Sequence, residues 1–295
     1  MIGKPIKLYY ALVVNKYDTV TVMTTDQWLR DAQKLLEASR SLTARLDTLV
    51  LLEDCLGIDR ARLLAHPEMT LNDSQLATLQ EQVGRRARHE PLAYIRGHAE
   101  FYGRDFIVNS HVLVPRPESE TMIELLKALP DVQEATGIIG DIGTGSGALA
   151  VTAACELRLA EHKFYATDID SDCLKVAARN ATALRADVTF LQGNLIEPLP
   201  SEVPIYALLC NLPYVPDDYK INDAARHEPK LALFAGADGL DYYQGLFEQI
   251  SAARHRPRYI LTESLPMQQN KLRKITASHD YKQVTSLDFI QLFKQ

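Results

Sequence analysis

Asn211-Leu212-Pro213-Tyr214 is the stretch of this chain whose residue types could do chemistry on a planar nitrogen. An amide or aromatic amino nitrogen is a poor nucleophile because its lone pair is delocalised. Two acceptors, the side-chain oxygen of Asn211 and the backbone carbonyl of Leu212, could hold its two hydrogens and favour lone-pair character as a group is transferred to it. Pro213 stiffens the turn, and Tyr214 offers an aromatic face to a planar substrate group. No side chain of the tetrapeptide is an obvious base and none is assigned, because the nitrogen becomes acidic once substituted and can lose its proton to water. Taken by itself the tetrapeptide reads equally well as a strand-end turn. What argues for a site is its position after two other features.

The first is Asp141-Ile142-Gly143-Thr144-Gly145-Ser146-Gly147, which follows an apolar strand and precedes a helix. Glycines there permit a tight turn and close approach of a ligand to the backbone, and the helix start presents free N–H groups. The spacing is G-x-G-x-G rather than the G-x-G-x-x-G of a pyrophosphate-binding dinucleotide site. Asp141, at the strand end, suits a cationic ligand such as the amino group and sulfonium of S-adenosylmethionine better than a pyrophosphate. The second feature is Asp168, closing the next strand about 20 residues on, where a carboxylate can accept both ribose hydroxyl protons of a nucleoside. After the third strand, Asn194 is positioned to bond an adenine edge and Leu195 to pack on its face.

These residues need a scaffold, and the apolar runs supply one. From Glu118 onward, strands at Ile138–Ile142, Phe164–Thr167, Val188–Leu191, Ile205–Cys210 and Tyr259–Thr262 alternate with helical stretches such as Asp172–Leu184. That order predicts a doubly wound α/β domain with a mostly parallel sheet. Two last segments, Tyr281–Val284 and Phe289–Phe293, have a short connection and suit a C-terminal antiparallel hairpin, giving seven strands. Upstream, helical spacing over residues 25–90 predicts a small bundle, with Asn72 or Asp73 capping one helix. Residues 91–117 read as a β-hairpin linker, 118–295 as the ligand-binding domain, and 1–24 as an extension with a possible hairpin. Arg116 and Glu118 border the expected cleft and suit either a loop-bracing salt bridge or a ligand contact.

Composition narrows the classes. The net charge is −6, which weighs against nucleic acid as a direct substrate, because phosphate neutralisation calls for a basic surface. The run Arg85, Arg86, Arg88 and His89 reads either as a solvated helix end or as a contact for an acidic partner. Cys55, Cys155, Cys173 and Cys210 show no metal-binding spacing and read as free thiols of a reducing cytoplasm. No run of about 18 apolar residues predicts a membrane span. A monomer without metal is expected.

Taken together, the motifs resemble the release-factor glutamine methyltransferases of the HemK/PrmC type. The likeness runs from near Leu49 to Leu261. It includes Glu90-Pro91-Leu92-Ala93-Tyr94-Ile95-Arg96-Gly97, Glu100-Phe101-Tyr102-Gly103, and Val112 through Pro115-Arg116-Pro117-Glu118-Ser119-Glu120. It also includes the glycine loop, Asp168, the Asn211 motif and Glu228-Pro229 through Leu240. The resemblance implies a Rossmann-like class I methyltransferase domain that binds S-adenosylmethionine through Gly143–Gly147, Asp168 and Leu195. It further implies that Asn211–Tyr214 hold the glutamine amide of the Gly-Gly-Gln loop of a peptide chain release factor, which the helical bundle helps dock.

Several positions depart from the family pattern. Leu212 stands where the family usually has Pro, although the contact needed is a backbone carbonyl that Leu also supplies. Asn194 replaces a common acidic residue, Glu263-Ser264-Leu265-Pro266 replaces a Gly-containing turn, and residues 1–24 are an unusual extension. Asn-Leu-Pro-Tyr is also similar to the motif of rRNA adenine dimethylases. The alternatives are therefore an N6-adenine methyltransferase acting on rRNA or DNA, and a non-catalytic S-adenosylmethionine-binding module.

Overall fold

The computed structural model describes residues 22–133, 136–157 and 162–295. The possible hairpin expected within residues 1–24 falls mostly on residues 1–21, outside the described residues. The chain divides into two compact units, with the boundary between Arg96 and Gly97.

The first unit is helical: α1 (Thr25–Ala38), α2 (Ala44–Leu56), α3 (Arg60–Ala65), α4 (Asp73–Ala87) and α5 (Leu92–Arg96). Its helix starts carry local signals. Thr24 and Gln27 form a capping box on α1, Asp59 caps α3 through the Arg62 N–H, and Asn72 forms a second capping box with Gln75 on α4. Each satisfies N–H groups that the first helical turn leaves without partners. Trp28, Leu36, Leu51, Leu52, Leu79 and Val83 make one buried apolar cluster.

The basic run at the end of α4 is occupied within this unit. Arg85 makes a forked pair with Glu90, and Arg86 donates to the buried Asp47 at 2.7 Å. The segment from residue 91 onward, expected to be a β-hairpin linker, opens instead as α5. Pro91 has no N–H to lose at a helix start, and it supplies the carbonyl that accepts from the Tyr94 and Ile95 N–H groups.

The second unit begins with a two-stranded antiparallel ribbon, β1 (His98–Phe101) and β2 (Arg104–Ile107). A 3₁₀ turn, Pro117–Ser119, leads into α6 (Glu120–Lys127). The central order is then β3 (Gly137–Ile142), α7 (Ala148–Leu157), β4 (His162–Asp168), α8 (Ser171–Leu184), β5 (Thr189–Gln192) and β6 (Ile205–Cys210). It continues with α9 (Asp241–Ala252), β7 (Tyr259–Glu263), α10 (Gln269–Ser278), β8 (Lys282–Leu287) and β9 (Ile290–Lys294).

The seven strands lie in the order β5-β4-β3-β6-β7-β9-β8. All pairs are parallel except those made by β9, which is antiparallel to both its neighbours. The expected mixed sheet with its C-terminal hairpin is therefore present.

β3 and β6 are buried at every position, the pattern of strands covered on both faces. Successive residues feed different cores. Ile139, Ala207 and Leu209 join one cluster, while Ile138, Leu208 and Cys210 join the other. The chain winds outward from β3 through β4 to β5, then returns to pair β6 on the other side of β3. The strand order thus reverses at β3 and β6, and it is beyond the carboxyl ends of strands at such a switch point that ligands bind in sheets of this class.

Candidate active site

A cleft opens at that reversal, and its walls come from the ends of four strands. Asp141, Gly143, Thr144, Gly145 and Ser146 line it after β3, Asp168 after β4, Asn194 and Leu195 after β5, and Asn211, Leu212 and Pro213 after β6. Nearly all the residues singled out in the sequence are therefore brought together. Gly147 and Tyr214 are not part of the lining.

The glycine loop is held by its neighbours rather than by itself. The N–H groups of Gly143 and Thr144 both donate to the Thr167 carbonyl at 2.9 Å, and the Gly147 N–H closes the turn on the Thr144 carbonyl at 2.8 Å. Gly143 has φ +72° and Gly147 φ +81°, values at which a Cβ crowds the backbone. Space imposes the same choice: a Cβ at Gly147 would meet Ala177 on α8 at 3.0 Å, and one at Gly143 would meet Leu212 Cδ2 at 3.1 Å. The first contact sets how closely the loop approaches α8, and the second brings the loop against the Asn211 motif.

Two carboxylates shape the electrostatics of the loop. Asp141 is buried and accepts from the Thr144 hydroxyl at 2.6 Å and from the Ala150 N–H, in the first turn of α7, at 3.1 Å. Burial pushes its carboxyl up to about 6, against the lowering effect of those two donors and with a further upward contribution from Asp168. Asp168 accepts from the Gly145 N–H through Oδ2 and from the Asp170 N–H through Oδ1, both at 2.9 Å. Its carboxyl is also raised, chiefly by burial, and backbone donors oppose that effect. Each Asp168 oxygen keeps a further lone pair for a hydroxyl.

Asn194 is exposed and donates to Glu197. Leu195 takes φ +53°, an unfavourable conformation for a branched residue costing about 1 kcal/mol. Its carbonyl is fixed by the Thr167 hydroxyl at 2.8 Å. An open cleft with an unencumbered glycine turn, a helix start and two acidic groups fits a nucleoside that carries positive charge.

The Asn211 motif is anchored from behind. Leu212 is buried. Asn211 Nδ2 donates to the Ser119 hydroxyl at 2.9 Å. Among the described residues, neither Asn211 Oδ1 nor the Leu212 carbonyl has a hydrogen-bond partner. Tyr214, rather than facing the cleft, packs against the apolar cluster and donates its hydroxyl to Glu263 at 2.9 Å. Burial and the Glu263 carboxylate raise its phenol well above the ordinary value. Its carbonyl accepts from the Gln268 amide at 2.7 Å.

The Glu228–Leu240 segment clamps the chain that follows. Val215 exchanges backbone bonds with Leu233 and Ala235, and a Cβ at Gly239 would meet the Tyr214 carbonyl at 2.1 Å. Arg116, on the cleft wall, places one guanidinium nitrogen 2.8 and 2.6 Å from the two oxygens of buried Glu228. Of the two roles open to Arg116 from the sequence, bracing a loop or meeting a ligand, this pairing supplies the brace. Ser119 and Glu263 belong to the site without being marked by any motif chemistry. Ser119 lies inside the Pro117–Glu120 segment, but nothing local points to its partner.

Comparisons with known proteins identify relatives of this chain. Residues 27–97 match the family model described as the PrmC N-terminal domain, and residues 119–211 match that of the ribosomal protein L11 methyltransferase (PrmA). A release factor glutamine methyltransferase of Koribacter versatilis is 37% identical over 231 residues, 77% of this chain and 81% of that protein. That of Coxiella burnetii is 36% identical over 256 residues, 86% and 90%, and that of Bacillus subtilis 37% over 223, 73% and 76%. Among solved structures, the hMettl16 catalytic domain in complex with a MAT2A 3'UTR hairpin superposes with a TM-score of 0.50 at 12% identity, covering 77% of this chain and 82% of that one. At that identity the likeness speaks for the fold alone.

Proposed function

The chain belongs to the release factor glutamine methyltransferase family, and from that membership we propose how its cleft works: Asn211 and Leu212 hold the side-chain amide of the glutamine in the Gly-Gly-Gln loop of a peptide chain release factor for N5 methylation. S-adenosylmethionine, the cofactor of this protein methyltransferase, supplies a methyl group on an electrophilic sulfonium.

The observation that carries the reading is a pair of acceptors with no hydrogen-bond partner among the described residues, Asn211 Oδ1 and the Leu212 carbonyl, at the edge of a cleft whose glycine loop leaves no room for a Cβ beside Leu212. Two acceptors match the two hydrogens of a primary amide, and holding both keeps the nitrogen in one orientation and favours lone-pair character as the new bond forms. Fixed acceptors in a partly dry site also need little reorganisation during the reaction. Asp168 is assigned to the ribose hydroxyls of the cofactor, Asp141 and the Gly143–Gly147 turn to its charged amino-acid end, and Asn194 and Leu195 to its adenine. Tyr214 is assigned to support rather than to substrate stacking, since its hydroxyl is engaged by Glu263. No general base is assigned.

The helical segment 25–90 is read as the part that docks the release factor, supported by the family match over 27–97. Of the segment 91–117, the helix Leu92–Arg96 goes with the helical unit and the ribbon that follows is read as a linker, with 118–295 as the methyl-transfer domain. We read the enzyme as a cytoplasmic monomer, working where translation terminates. No helix of the described residues is long and apolar enough to cross a membrane.

Incubation with labelled cofactor and either a release factor or rRNA tests the assignment. Mass spectrometry is expected to find one methyl group on the glutamine of the Gly-Gly-Gln peptide. Label in RNA alone would overturn it in favour of the adenine reading, and tight cofactor binding with no transfer to any translation factor would favour a binding module.

A further inference from the structure

An asparagine carboxamide is nearly symmetric in shape. A half-turn about its last bond would exchange Oδ1 for an NH2 group, placing two donors against the two hydrogens of the substrate amide. The backbone of Asn211 cannot prevent that flip, so its side chain must be held by something with a defined polarity.

The partners of Asn211 have such a polarity. The Ser119 hydroxyl donates to Glu263 Oε2 at 2.6 Å. An ionised carboxylate only accepts, so the single Ser119 proton is committed to Glu263 and Ser119 Oγ is left with lone pairs alone. What it can take from Asn211 is an N–H, and Asn211 Nδ2 lies 2.9 Å away. Oδ1 is thereby turned from Ser119, with no partner among the described residues.

The other oxygen of the same carboxylate, Oε1, accepts from Tyr214 at 2.9 Å. One group therefore holds both ends of the 211–214 motif. Glu263 is itself immobilised: it is 1% exposed at the end of β7, and the buried Tyr243 hydroxyl lies 2.6 Å from its carbonyl and 2.8 Å from that of Cys210 at the end of β6.

We infer that ionised Glu263 and Ser119 form a hydrogen-bond relay that locks the Asn211 amide with its oxygen toward the substrate nitrogen. Both are positioning residues for the transfer, neither touches the reacting atoms, and the inference rests on the glutamine-amide reading above. Protonation of Glu263 reverses the relay. The new carboxyl O–H donates to Ser119 Oγ, the Ser119 proton is released toward Asn211, and the amide is best satisfied after flipping, with NH2 toward the cleft.

Turnover must then fall on the acid side as Glu263 is protonated. Burial raises this carboxyl above the ordinary range. The Ser119 and Tyr214 donors and the Arg116 guanidinium oppose that effect, and the Glu118 carboxylate adds to it. Tyr243 faces it only as a neutral phenol, whose own value burial raises well above the ordinary one.

The experiment measures kcat against pH, at saturating cofactor and release factor, for the wild-type enzyme and the Ser119→Ala, Ser119→Thr and Glu263→Gln variants, with cofactor affinity by calorimetry. The wild type is expected to show an acid limb. Ser119→Ala is expected to lose about tenfold in kcat, keep its cofactor affinity within about twofold, and lose that limb, because nothing then couples Glu263 to the amide. Ser119→Thr, which keeps the hydroxyl, should restore both rate and limb. Glu263→Gln should show no limb at any rate it retains. An unchanged acid limb in Ser119→Ala, or a kcat within twofold of wild type, would overturn the relay. A wild-type enzyme that methylates no glutamine loop would sink the underlying function instead.

Discussion

Gly143 leaves no room for a side chain beside Leu212: a Cβ there would stand 3.1 Å from Leu212 Cδ2. The turn assigned to the cofactor and the motif assigned to the substrate amide are thus one packed unit, and a change in the first is felt in the second. Gly143→Ala adds that Cβ at φ +72°, where an L-residue costs about 1 kcal/mol. Leu212 must also retreat by a few tenths of an ångström. The expected result is a modest loss of thermal stability, about 2–4 °C, with a larger loss of kcat, because the Leu212 carbonyl moves with its side chain. A kcat at the wild-type level in a stably folded variant would show that the contact is incidental.

Asn211→Ala separates binding from chemistry. Asn211 contributes an oxygen to the proposed substrate grip, while the turn of Gly143–Gly147 and Asp168 remain intact. Turnover should fall about a hundredfold to a thousandfold, the size seen when one fixed polar group is removed from a transition-state site. Cofactor affinity, measured by calorimetry, should stay close to wild type. An active Asn211→Ala enzyme would refute the role given to that side chain.

Much of the site is legible in the amino-acid sequence because its signals are local. Gly143–Gly147 and Asn211–Tyr214 are short runs, and the buried apolar strands β3 and β6 point them to one edge of the sheet. The features that the sequence hides are long-range. Ser119 and Glu263 are 144 residues apart, and Arg116 and Glu228 are 112 apart. No spacing rule links them; only the winding of the sheet does. In the sequence Glu263 stands out only as part of a segment departing from a family pattern, although its carboxylate holds the motif in place. The helix Leu92–Arg96 is hidden for a different reason: its aromatic residues favour strand, and the Pro91 start signal outweighs them. Residue type assigns Tyr214 to substrate stacking, whereas its hydroxyl finds a buried acceptor, the usual fate of a buried phenol.

Asp168→Ala tests the assignment of the ribose. The carboxylate now satisfies the Gly145 and Asp170 N–H groups, so its loss removes two hydrogen bonds of about 1 kcal/mol each. It also removes a half-buried charge whose carboxyl burial already raises, and solvent in the open cleft can reach the freed N–H groups. These effects offset one another, and the melting temperature should change by only about 2–4 °C. Cofactor affinity should fall about a hundredfold, close to 3 kcal/mol. Equal affinity in the two proteins by calorimetry would remove Asp168 from the cofactor site.

Asp141 makes the protein's pH response specific. Its folded-state value of about 6 lies above the ordinary 3.8 because the charged form is desolvated. A group raised in this way favours the folded state most when protonated in both states. Its contribution is complete below the unfolded value and is lost as pH rises through about 6. The gap amounts to about 3 kcal/mol.

The unliganded enzyme should therefore lose that increment between about pH 4 and 6, and Asp141→Asn, which never ionises, should not. Other buried acids titrate in the same range, so the difference between wild type and Asp141→Asn carries the information rather than either curve alone. Cofactor binding should run the other way. If ionised Asp141 attracts the cationic end of S-adenosylmethionine, wild-type affinity should rise as pH passes about 6, and Asp141→Asn should be weaker at pH 8 yet nearly equal at pH 5. Calorimetric titrations of both proteins at the two pH values decide it. Identical pH dependence would leave Asp141 as a brace for Thr144 and Ala150 alone.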